Sequence, residues 1–81
     1  MKKNQYDMDG YPDGLWEFGG ANGTVVASGK YTNGIMNGIW EYYWGNGSLH
    51  SKGNFIDDFA EGYWEVYTEG GELEEIEYYL R

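Results

Sequence analysis

The chain has 81 residues, enough for one domain with a small core, and 20% of them are aromatic, so a few large rings can supply that core. It has no Cys and no run near the roughly 20 apolar residues of a membrane span, and Lys2-Lys3 is followed by polar residues, not by an apolar stretch. These features exclude a disulfide framework and a thiolate metal site, and they point to a cytoplasmic protein without a signal peptide. The net charge is −9. Residues 1–56 hold five acids and four bases, whereas residues 57–81 hold nine acids and only Arg81. Direct binding to nucleic acid or to an anionic membrane needs a basic patch, which this distribution denies. A basic partner is favoured instead.

Along the chain, residues 1–8 carry no pattern and are expected to form a flexible lead-in. From there one spacing governs. Gly14, Gly38 and Gly62 are in phase, as are Trp16/Trp40/Trp64, Glu17/Glu41/Glu65 and Gly23/Gly47/Gly71. Four identical columns at 24-residue spacing define repeats at about 13–36, 37–60 and 61–81 within a single domain, 9–81. Before each copy lies a linker: Asp9–Gly14, Asn33–Gly38 and Asp57–Gly62. Its Asx and Gly residues suit positive-φ turns. Pro12, the only proline, falls there, where its missing donor does no harm.

Each copy then reads as a β-hairpin. The first strands are Leu15–Phe18, Ile39–Trp44 and Tyr63–Tyr67, rich in β-formers. The turns are Gly20–Gly23, Trp44–Gly47 and Thr68–Gly71. The return strands are Thr24–Tyr31, Ser48–Phe55 and Glu72–Tyr79. The expectation is an all-β fold: a single antiparallel meander of about six short strands. Only the end offers a competing period, with Leu73, Ile76 and Leu80 at i, i+3 and i+7, so that Leu73–Arg81 has a short helix as its alternative.

Period two sorts the faces. Trp16/Phe18, Trp40/Tyr42/Trp44 and Trp64/Val66 share one side. Leu15/Glu17, Ile39/Glu41/Tyr43 and Tyr63/Glu65/Tyr67 share the other. Gly29 and Gly53 lie in the return strands, and the simplest packing sets each Trp ring over the Gly of its own hairpin. In the third repeat Glu77 replaces that Gly and Glu75 joins it on the inward side. Inward charges on a terminal strand stop further pairing, so this repeat is expected to act as a cap.

The central motif, Tyr31-x-Asn33-Gly34-x-x-x-Gly38-x-Trp40-x-x-Tyr43-x-x-Asn46-Gly47-x-Leu49-x-x-x-Gly53-x-Phe55, resembles the MORN-variant repeat of the YwqK-like antitoxin family. The pattern is looser in 13–36 and in 61–81, where the second Gly is lost. The resemblance implies a sheet of stacked hairpins that binds other molecules, and it implies no catalytic residues.

The column Glu17/Glu41/Glu65 places one carboxylate at the same position of every repeat. Acid–base or glycosidase chemistry needs two in a shielded cleft with unlike environments, so a surface role is expected. The column also resembles no cation-binding loop. His50, the only histidine, has no partner set for catalysis or zinc. No glycine turn matches a phosphate loop. Catalytic, cofactor and metal sites are therefore all expected to be none. The candidate partner-binding residues are Trp44, Tyr43, Tyr63 and Tyr67, as aromatic anchors, and Glu65, Glu69, Glu72, Glu74, Glu75 and Glu77, as an acidic surface. Trp44 is singled out because its counterparts, Gly20 and Thr68, are not aromatic.

The leading expectation is a non-catalytic protein-interaction module. It would be a small acidic inhibitor or antitoxin-like binder of a basic protein, of the kind a phage or plasmid carries. One alternative is a nucleic-acid mimic that blocks a DNA- or RNA-binding site on a defence enzyme. Another is a homodimeric structural scaffold.

Overall fold

The computed structural model describes residues 3–20 and 22–80. Met1 and Lys2 of the expected lead-in, Ala21 of the first turn and Arg81 of the third repeat lie outside the described residues. Every regular element among them is a strand: β1 (Gln5–Tyr6), β2 (Pro12–Gly19), β3 (Val25–Thr32), β4 (Ile35–Met36), β5 (Gly38–Tyr43), β6 (Leu49–Ile56), β7 (Phe59–Tyr67) and β8 (Leu73–Tyr79). All pair antiparallel in one open sheet, in the order β1-β2-β3-β5-β6-β7-β8, with β4 beside β3. The fold is thus an all-β meander, and the six expected strands are β2, β3, β5, β6, β7 and β8.

Two short strands were not anticipated. β4 is the lead of β5, interrupted at Asn37; the residues in phase with Met36, Pro12 and Ala60, are built into β2 and β7. β1 corrects the reading of 1–8 as a lead-in without pattern, because Gln5 and Tyr6 pair with Asp13 and Pro12. The end of the chain is strand, not helix. Pairing along β7 takes up the inward-facing backbone groups of Leu73–Tyr79, whereas the stripe Leu73/Ile76/Leu80 has no facing layer to pack on.

Local chemistry accounts for the turns. At the hairpin tips the amides of Trp44 and Gly47 donate to the carbonyls of Ser48 and Trp44, at 2.8 and 2.9 Å. Thr68 and Gly71 repeat this with Glu72 and Thr68, at 2.8 and 2.9 Å. Gly47 and Gly71 then take positive φ, as a three-residue loop with a bulge requires. Between hairpins the chain reverses in two residues, both with positive φ: Asn33-Gly34 (51° and 81°) and Asp57-Asp58 (51° and 73°). Asp58 occupies a position that favours glycine, but its carboxylate accepts a bond from the Met36 amide at 2.7 Å.

The core is one layer of rings lying on the sheet, whose extents are 41 × 35 × 19 Å. Trp40 is 1% exposed and Trp64 is 7% exposed. Each lies over the glycine of the preceding hairpin, not of its own. A Cβ built at Gly29 would stand 2.1 Å from the Trp40 ring, and one at Gly53 would stand 2.1 Å from the Trp64 ring. This corrects the expected packing. In the ladder Trp40 is opposite Gly53 of its own return strand. The ring leans the other way, where Trp40 Nε1 donates to the Lys30 carbonyl at 3.1 Å. Trp64 Nε1 does the same to Asn54, at 3.2 Å. The lean satisfies a buried indole donor that would otherwise cost free energy. It also makes each tryptophan the joint between two hairpins.

Edge-on rings cover the flat indoles. Tyr31 meets Trp40 and Phe55 meets Trp64 in T-shaped pairs, with centroids 5.1 and 5.0 Å apart. Such pairs each add about 0.5–1.5 kcal/mol beyond area burial. Phe18 stacks on Trp40, and Tyr42 tilts against both Trp40 and Trp64. One face of the sheet is thereby covered by its own aromatic side chains.

Candidate interaction surfaces

The other face is open and mixed, with exposed Leu15, Ile39, Tyr63, Ile76 and Tyr78 among charged and polar residues. Direct cross-strand partners place Glu17, Ser28, Glu41, Lys52, Glu65 and Ile76 in one row across the sheet. Lys52 Nζ is 3.8 Å from Glu65 Oε1, and both side chains remain well exposed. Such a pair contributes at most about 1 kcal/mol. Around Lys52 lies a depression of about 490 Å³, lined in part by Ile39, Glu41, Asn54, Glu61, Tyr63 and Glu65. Three glutamates and one lysine therefore line the same depression.

Two of the row's glutamates are held by tyrosines two residues further along the strand. Tyr43 donates to Glu41 at 3.0 Å and Tyr67 to Glu65 at 2.8 Å. On the aromatic face Tyr79 does the same to Glu77, at 2.6 Å. Each phenol is pushed above its ordinary value of 10.0. Burial is the main cause for Tyr43, and the bond to the carboxylate is the main cause for Tyr67 and Tyr79.

The ten candidate residues fall into separate places. Tyr43, Tyr63, Glu65, Tyr67 and Glu74 share the open face. Glu75 and Glu77 lie on the aromatic face of β8, opposite Val66 and Trp64. Glu69 and Glu72 are exposed at the last hairpin turn. All except Tyr43 and Trp44 belong to the β7–β8 hairpin. Trp44 is not a free anchor. It is half-buried, its Nε1 donates to the Tyr67 carbonyl at 3.0 Å, and its ring lies 4.4 Å from that of His50. It ties the second turn to the third, helped by Asn46 and Ser48, which both donate to the Glu69 carbonyl.

Tyr63 is 72% exposed, with Tyr78 beside it at 4.7 Å. Tyr78 and Ile76 were not among the candidates, although the alternation along 73–79 places both on the open face. The helical spacing of Leu73, Ile76 and Leu80 obscured that signal. Among the described residues no three of His, Asp and Glu gather so as to hold a metal ion. Among them, too, no helix is long and apolar enough to cross a membrane.

No family model, curated protein or solved structure matches the chain, so the surfaces are read from their own geometry.

Proposed function

We propose that the protein is a non-catalytic interaction module that binds a basic protein, as a small inhibitor or antitoxin-like binder. The observation that carries this reading is the β7–β8 hairpin. It holds Glu61, Glu65, Glu69, Glu72, Glu74, Glu75 and Glu77, and among the described residues Lys52 is the one lysine paired with it. A dense acidic hairpin accelerates encounter with a basic partner and repels acidic ones. The exposed Tyr63–Tyr78 pair supplies rigid contact area once the partner has docked. The resemblance to MORN-variant repeats supports the same class of function.

The test is capture of a partner on the immobilised protein, followed by affinity measurements on that purified partner. The partner should be basic. Its affinity should fall with added salt, and it should fall again when Glu72, Glu74, Glu75 and Glu77 are changed together to Gln. Affinity unchanged by both treatments contradicts the reading. If DNA or RNA competes for the captured partner, the protein acts as a nucleic-acid mimic. A stable dimer that captures nothing points to the scaffold alternative.

A further inference from the structure

The two ends of the sheet are finished differently. At the N-terminal end the chain covers its own edge. The amide of Asn4 donates to the Leu15 carbonyl at 2.8 Å, and the Asn4 side chain accepts from the Glu17 amide and donates to the Glu17 carbonyl, at 2.8 and 3.1 Å. Trp16 Nε1 is taken up by the Gln5 carbonyl at 3.0 Å. At the C-terminal end β8 pairs only with β7 among the described strands. Its seven residues, about 23 Å of extended chain, leave their outward amides and carbonyls to solvent.

We propose that the outer edge of β8 is a β-augmentation site for an extended basic segment of a partner protein. The segment's Lys or Arg side chains would lie beside Glu75 and Glu77, and its apolar side chains beside Ile76 and Tyr78. The proposal rests on the basic-partner reading above and gives it a place and a geometry.

Three observations select this occupant. First, another repeat is refused. At the junctions inside the sheet an incoming tryptophan lies on Gly29 or Gly53, where a Cβ would stand 2.1 Å from its ring. Glu77 holds the same position in β8 and is tethered by Tyr79. Second, the fully overlapped pairing with a second copy of β8 is disfavoured. Antiparallel pairing centred on Ile76 sets Glu75 against Glu77 and Glu74 against Tyr78, so like charges meet directly across the strands. Third, the alternation of β8 fits one kind of guest. Glu75, Glu77 and Tyr79 face one side, and Glu74, Ile76 and Tyr78 face the other. Opposite charges on the first side and apolar contact on the second are both favourable cross-strand pairs. Main-chain bonding then supplies affinity, and the alternating side chains supply specificity.

The test uses the full chain and three synthetic peptides: one of alternating Lys and Val, its Glu–Val counterpart, and the Lys–Val peptide N-methylated at alternate residues along one edge. Amide exchange and chemical shifts report the site. The expected result is salt-sensitive binding of the Lys–Val peptide, with every second amide of 73–79 newly protected. N-methylation should weaken binding by about tenfold or more, and the Glu–Val peptide should not bind. If the Lys–Val peptide binds but perturbs Glu41, Lys52 and Tyr63 and leaves β8 unprotected, the edge proposal falls and the basic-partner reading stands. Equal binding of the N-methylated peptide also overturns the edge. So does no binding of the Lys–Val peptide, while the salt-dependent capture described above still decides the broader reading.

Discussion

The interior junctions and the C-terminal edge occupy equivalent positions but hold opposite residues. At β3–β5 and β6–β7 a tryptophan lies flat on a glycine and donates to the next carbonyl along. At β8 a glutamate stands where the glycine would be. The N-terminal end shows a third solution. Tyr6 packs edge-on against Trp16 with centroids 5.1 Å apart, as Tyr31 and Phe55 do against their tryptophans. Beside Trp16 the covering ring is Tyr6 of β1, and in β8 the position held by Gly29 and Gly53 is held by Glu77.

Substitution at that position separates these cases most strongly. Gly53→Ala or Gly29→Ala forces a methyl into the indole and should destabilise by about 3 kcal/mol or more, a large fraction of a small domain's stability. Trp40→Ala should cost about as much, roughly 3–5 kcal/mol, through the loss of the most buried ring. Glu77→Ala, at the corresponding position of β8, should stay within about 0.5 kcal/mol. Urea unfolding midpoints with matched slopes check all four. If Gly53→Ala proved as mild as Glu77→Ala, the tryptophan joint would be refuted.

The N-terminal cover is a weaker joint. Asn4→Ala removes a side chain that both donates to and accepts from Glu17, and should cost about 1 kcal/mol. A smaller loss is expected at high pH. Tyr31, Tyr42, Tyr43, Tyr67 and Tyr79 all ionise above their ordinary value of 10.0 in the folded protein. Burial dominates for the first three, and the bonded glutamate for the last two. The unfolded chain therefore gives up these protons first. The stabilisation is complete below pH 10 and is lost as the pH climbs through the raised values. Thermal melts alongside an ultraviolet titration of the phenols should show the melting temperature dropping before the folded tyrosines ionise. A flat melting temperature across that range would contradict the assigned shifts.

The strands were legible because alternation and turn chemistry agree along most of the chain. Asn33-Gly34 and the glycines in phase with Gly47 mark reversals by their backbone preference alone. Glu77 in place of glycine marked the last strand as different. The direction in which Trp40 and Trp64 lean was not legible. Trp40 has a glycine on either side, Gly29 and Gly53, so its choice rests on which carbonyl can take the indole proton; Trp64 has Gly53 on one side and Glu77 on the other. β1 was hidden for a related reason. Tyr6 precedes Trp16 by ten residues, whereas Tyr31 and Phe55 precede their tryptophans by nine, so the 24-residue phase does not register it. Trp44 stands out in the sequence because it lacks aromatic counterparts, but its bond to the Tyr67 carbonyl across two turns is a contact that spacing does not encode.

Hydrogen exchange of individual backbone amides in the free protein tests the difference between the two ends most directly. The Glu17 amide on the outer side of β2 should be protected by Asn4, while every second amide of Leu73–Tyr79 should exchange at nearly the rate of an exposed chain. Uniform protection along β8, or a Glu17 amide that exchanges as fast as the open edge, would contradict the account.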